Sequence, residues 1–136
     1  MKLFVDTGAF IALTDSDDEY HKAAVAFYRS SKEKGARFVT TNFVVCETMN
    51  YLRARVSHHV AVLFKENLKK SGFIETITVT PSIEKDEAFA IFKRYPDKDF
   101  SYTDCTSFSV MRSLRLKKAF AFDKHFEQLE GISRLP

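Results

Sequence analysis

The sequence predicts an α/β protein, a central parallel β-sheet flanked by α-helices on both faces, and three observations carry that expectation. Short apolar runs rich in Phe, Val and Ile alternate with longer stretches of helical periodicity. The first run, Leu3-Phe4-Val5, lacks polar alternation, as a strand buried on both faces requires. The first and the last of the four main strand-like runs each break on an aspartate, Asp6 and Asp123. In open α/β sheets the carboxyl ends of the strands border the crevice that binds ligands.

The 136 residues suit one domain spanning 1–136, with 14 Phe and no Trp to build its core. No apolar run reaches the roughly 20 residues needed to cross a bilayer, and no signal peptide precedes the first strand. A cytoplasmic location without a membrane partner is expected. Cys46 and Cys105 lie far apart and read as small hydrophobes in a reducing compartment. A net charge of +3 permits a nucleic-acid partner without requiring one.

Taken in order, Gly8 to Leu13 gives one or two helical turns, and the acids of Asp15-Ser16-Asp17-Asp18 suit the start of a second helix by capping and dipole. Its apolar face is Tyr20, Ala23, Ala24, Phe27 and Tyr28, and Gly35 supplies a left-handed stop. Arg37 to Thr41 is the second strand, and Asn42 can cap the helix after it. Val45, Met49, Leu52 and Val56 form that helix's core seam. At about 100° per residue, Glu47 falls opposite the seam, among Phe43, Asn50, Tyr51 and Ala54.

Ser57 can cap a further helix that turns Val60, Leu63, Phe64 and Leu68 inward and stops at Gly72. Phe73 to Val79 is a third strand, and Thr80-Pro81 opens a helix whose apolar side is Phe89, Ile91 and Phe92. Ser101 and Asp104 have capping-box spacing at the head of the next helix, which runs through Phe108, Val110, Met111 and Leu114 to a basic end. Ala119 to Phe122 is the fourth strand, and Gly131 to Pro136 can add a short edge strand.

Each acid has a bland reading. Asp6 can be an N-cap, Glu47 an exposed helical residue, and Asp104 a capping-box acid. Yet in a parallel sheet the strand ends and the following helix starts share one edge. Asp6, Glu47, Asp104 and Asp123 can therefore meet in one crevice. Their repulsion would be relieved by a divalent cation, and hard oxygen ligands select Mg²⁺ or Mn²⁺. The matching chemistry is metal-assisted phosphodiester hydrolysis.

The series LFVDTGAF, Glu47 after the second strand, FSYTDC and AFAFDKHF resembles a PIN domain, nearest to the small VapC-type toxins, over almost the whole chain. The resemblance implies a PIN-like fold and a Mg²⁺- or Mn²⁺-dependent ribonuclease with Asp6, Glu47, Asp104 and Asp123 as its acidic quartet. It implies an RNA substrate, an antitoxin protein as partner and a homodimer, and it gives Thr7 the task of orienting Asp6. Two positions depart from the family pattern. Ala121 stands where Thr is common, which removes a support of Asp123, and Cys105 stands where Ala is usual.

Three further features compete for attention. Asp99 can be a fifth carboxylate or a solvated loop residue. Arg53, Arg55, Arg112, Arg115, Lys117 and Lys118 can bind phosphates around the crevice or simply face water. His21, His58, His59 and His125 share no spacing, and His125 beside Asp123 is only a weak hint of a proton shuttle. Two other functions fit less of the chain: a PIN-like module that binds RNA or protein while cutting weakly, and a receiver-type phosphoacceptor, which would need paired acids after the first strand.

Overall fold

β1 (Lys2–Val5) lies at the centre of the sheet, and its three buried residues match the unbroken apolar run. The computed structural model describes residues 1–136. The other strands are β2 (Arg37–Thr41), β3 (Ile74–Ile77), β4 (Lys118–Phe120) and β5 (Ser133–Leu135). All pair in parallel, in the order β3-β2-β1-β4-β5. The chain builds outward from β1 through β2 to β3, then returns to lay β4 against the other side of β1. The reversal makes the carboxyl edge between β1 and β4 a topological switch point, where such sheets bind ligands. The backbone N–H of Asp6 donates to Phe120 O at 3.1 Å across it.

The helices are α1 (Thr7–Thr14), α2 (His21–Glu33), α3 (Asn42–Arg55), α4 (His58–Lys70), α5 (Phe89–Arg94), α6 (Tyr102–Ser113) and α7 (His125–Gln128). A π-helical segment, Ile83–Ala88, leads into α5 where an ordinary α-helix was expected. The core is built on phenylalanine, with Phe4, Phe38, Phe108, Phe120 and Phe126 all fully buried. Phe108 packs edge-on against both Phe100 and Phe126, and Phe126 stacks on Phe4.

Several local expectations are corrected. The N-cap of α3 is Thr41, whose hydroxyl accepts from Val44 N, while Asn42 Oδ1 reaches across to accept from Val79 N at 2.7 Å. Asp15 and Asp18 cap no helix. Their side chains accept from Asp17 N and Tyr20 N in the turns before α2. Val56, Leu63, Phe89, Phe92 and Leu114 are exposed in spite of their apolar spacing. Leu63 instead lines an open apolar groove of about 800 Å³ between α1, α2 and α4.

Candidate active site

Asp6 follows the last residue of β1 and occupies the N-cap position of α1, yet its side chain makes no capping hydrogen bond. Its Oδ1 is buried without a partner. Only three buried side-chain oxygens or nitrogens in the protein lack one, and Thr7 Oγ1 is another. The hydroxyl expected to orient Asp6 therefore does not bond to it. A buried carboxylate oxygen left unpaired is costly, and an acid serving only as a cap would have no reason to bear that cost. The end of β1 is held from the side by Thr40, whose hydroxyl donates to Val5 O at 3.0 Å.

Asp104 sits in the first turn of α6, where Ser101 N donates to its Oδ2 and its own N–H donates to Ser101 Oγ, each at 3.0 Å. Glu47 is half-buried on the second turn of α3. It lines a cleft of about 470 Å³ with Asn42, Phe43, Cys46, Asn50 and Thr103, not the open solvent of a plain helix face. Asp123 lies in the turn after β4 with its side chain 43% exposed.

Burial pushes the Asp6 carboxyl up to about 8, and Asp104 is the next cause. The Thr7 backbone N–H opposes the shift, while Glu47 and Asp123 add to it. Asp104 is also raised, first by burial, with Ser101 and His125 pulling it back and Asp123 and Glu47 pushing it up. Asp6 thus feels the other three acids, and Asp104 feels Asp123 and Glu47. No three His, Cys, Asp or Glu side chains nevertheless close into a ready-made metal cage. His125 sits between two of the acids. Its Nδ1 lies 3.0 Å from Asp104 Oδ2 and 3.2 Å from Asp123 Oδ1.

That histidine is the residue sequence reasoning undervalued. Its spacing from Asp123 was visible, but its contact with Asp104 spans 21 positions. The backbone N–H of this residue also donates to Asp123 Oδ1 at 2.9 Å.

Asp99 and one of the basic groups fall outside the site. Asp99 is exposed and borders a different cleft, beside Phe89 and Lys98. Arg112 lies at the far end of α6 from Asp104, and Arg115, Lys117 and Lys118 follow it into the start of β4. The 12 residues of α6 span about 18 Å, so this basic group belongs to the amino edge of the sheet and not to the crevice.

As a donor set, the four acids offer hard carboxylate oxygens only. One buried, unpartnered oxygen and a carboxyl raised first by burial and then by neighbouring acids are what a small divalent cation would relieve, so these residues fit such an ion.

The PIN domain model matches residues 3–132. The 23S rRNA-specific endonuclease VapC20 of Mycobacterium tuberculosis is 32% identical over 124 residues, covering 91% of this chain and 91% of that protein. A VapC ribonuclease of Archaeoglobus fulgidus is 32% identical over 128 residues, 93% of this chain and 80% of the relative. The crystal structure of Mycobacterium tuberculosis VapC20, described as a sarcin-ricin loop cleaving toxin, has a TM-score of 0.84 at 30% identity, covering 92% of each chain.

Proposed function

The chain belongs to the PIN-domain family, and from that premise we propose that it is an endoribonuclease that hydrolyses RNA phosphodiester bonds using Mg²⁺ or Mn²⁺. Asp6, Glu47, Asp104 and Asp123 are its site residues. The observation that carries this reading is Asp6 Oδ1, buried without a partner at the switch point of the sheet, with three other acids near enough to disfavour its ionisation. When bound, the cation would activate water and stabilise charge on the scissile phosphate.

The chain's own residues do the positioning. Thr40 and the β1–β4 pairing hold Asp6 at the strand end. The capping box aims Asp104 from the start of α6, and Glu47 closes the site from α3. Asp123 adds a half-exposed carboxylate from the turn after β4.

RNA is the substrate class because the relatives with 32% identity are named as ribonucleases. The chain acts as the toxin of a toxin–antitoxin pair, one domain over residues 1–136, in the cytoplasm. The apolar groove between α1, α2 and α4 supports an antitoxin partner, since an amphipathic segment could bury its apolar side there. Exposed Phe89 and Phe92 on α5 support a homodimer.

The test is cleavage of a sarcin-ricin loop RNA and of unstructured RNA, with Mn²⁺, with Mg²⁺ and with EDTA. Cutting that needs the ion and is lost in Asp6→Asn supports the proposal. Cutting that continues in EDTA, or in Asp6→Asn, would refute it.

A further inference from the structure

We propose that His125 is a positioning residue, a hydrogen-bond donor that fixes Asp104 and Asp123 so that the second oxygen of each carboxylate faces the cation. The inference rests on the nuclease reading above and adds to it a residue outside the acidic quartet.

The geometry is one-sided. The protein's hydrogen bonds to Asp104 fall on Oδ2, from Ser101 N and from the imidazole. Those to Asp123 fall on Oδ1, from His125 N, with the imidazole 3.2 Å away. A bare ring nitrogen facing two carboxylate oxygens would be repelled, so Nδ1 carries the hydrogen and donates. One oxygen of each acid is thereby occupied, and Oδ1 of Asp104 and Oδ2 of Asp123 are left for another partner. Outer-shell donors of this kind orient metal-binding carboxylates.

The ring itself is held in place. Its side chain is 16% exposed. It meets Phe100 edge-on, with centroids 5.8 Å apart. Phe100 in turn packs on Phe108 at 4.9 Å, so the imidazole is backed by the phenylalanine core. The next residue, Phe126, is fully buried and anchors the short α7 that presents His125. An imidazole merely filling surface space would need none of this support.

A competing account would have the imidazole stand where the cation belongs and be displaced by it. The two accounts differ in sign. The experiment is Mn²⁺ binding by titration calorimetry to the full chain, beside RNA cleavage, for wild type, His125→Ala, His125→Asn and His125→Gln. Asn places its amide nitrogen where Nδ1 stands, whereas Gln places its amide nitrogen near Nε2.

The expected result is Mn²⁺ affinity weakened about 10- to 100-fold in the Ala and Gln variants and largely restored in Asn. Cleavage should follow the same order. Circular dichroism checks folding, and the Asn–Gln contrast holds even if Ala unfolds. Tighter Mn²⁺ binding by Ala than by wild type would overturn positioning in favour of displacement. Equal binding by all four proteins would overturn the inference alone. A wild type that binds neither Mn²⁺ nor Mg²⁺ would overturn the nuclease reading and this inference together.

Discussion

Ser101 and Asp104 hold each other in a reciprocal capping box, each backbone N–H donating to the other's side chain at 3.0 Å. The same Asp104 carboxylate is the largest charged influence on Asp6. The helix-cap reading of Asp104 is met, and the same carboxylate also helps raise the pKa of Asp6. A single carboxylate serves the start of α6 and the electrostatics of the crevice.

Replacing Asp104 by Asn should separate those roles. Asn keeps an acceptor for Ser101 N and removes a negative charge beside Asp6. In EDTA above pH 8, where Asp6 is ionised, the variant should be more stable than wild type, on the order of 1 kcal/mol for one relieved contact. Near pH 5, where Asp6 holds its proton, that gain should vanish and the weaker cap should leave it slightly less stable. Urea denaturation at the two pH values is the measurement. A variant less stable at both would make the cap the dominant role.

Asp6 sets a pH dependence whose sign follows from its raised pKa. Its ordinary value is 3.8 and its folded value about 8. Between these the folded protein holds a proton that the unfolded chain has released. The stabilisation is fully present below 3.8 and is lost as pH rises through the folded value. The metal-free protein should therefore lose stability from pH 5 to 8, by at most about 1.4 kcal/mol per unit from this group, and level off above. Asp6→Asn should flatten the profile. A wild-type curve already flat over that interval would contradict the burial and crowding of this carboxyl.

Thr40→Val tests the mounting of Asp6 from outside the acidic set. Thr40 is fully buried, and its hydroxyl donates to Val5 O, the carbonyl just before Asp6. Val keeps the shape and leaves that hydrogen bond unmade. Stability should fall by about 1 kcal/mol, and RNA cleavage should fall further than Mn²⁺ affinity, because the strand end that aims Asp6 loosens. Thermal melting and single-turnover cleavage would read the two effects. Unchanged cleavage in a destabilised variant would confine Thr40 to a structural role.

The sequence by itself determined the elements and the chemistry at their ends. Period-2 and period-3.6 patterning report local burial, so the alternation of strand and helix, the phenylalanine core, the Ser57 cap and the left-handed Gly35 were legible without coordinates. Acids placed just after β1 and β4 and in the early turns of α3 and α6 were legible for the same reason. Tertiary structure alone decided how these pieces face one another. The strand order puts β4 beside β1, and only that adjacency brings Asp123 toward Asp6 and lets His125 reach Asp104. It also left Val56 and Leu63 exposed and sent Asn42 to Val79 instead of to its own helix. Local periodicity carries no information on which strands pair across long crossovers. That choice is made by burying whole faces of the sheet, and it places the carboxylates, their histidine and the far basic edge at once.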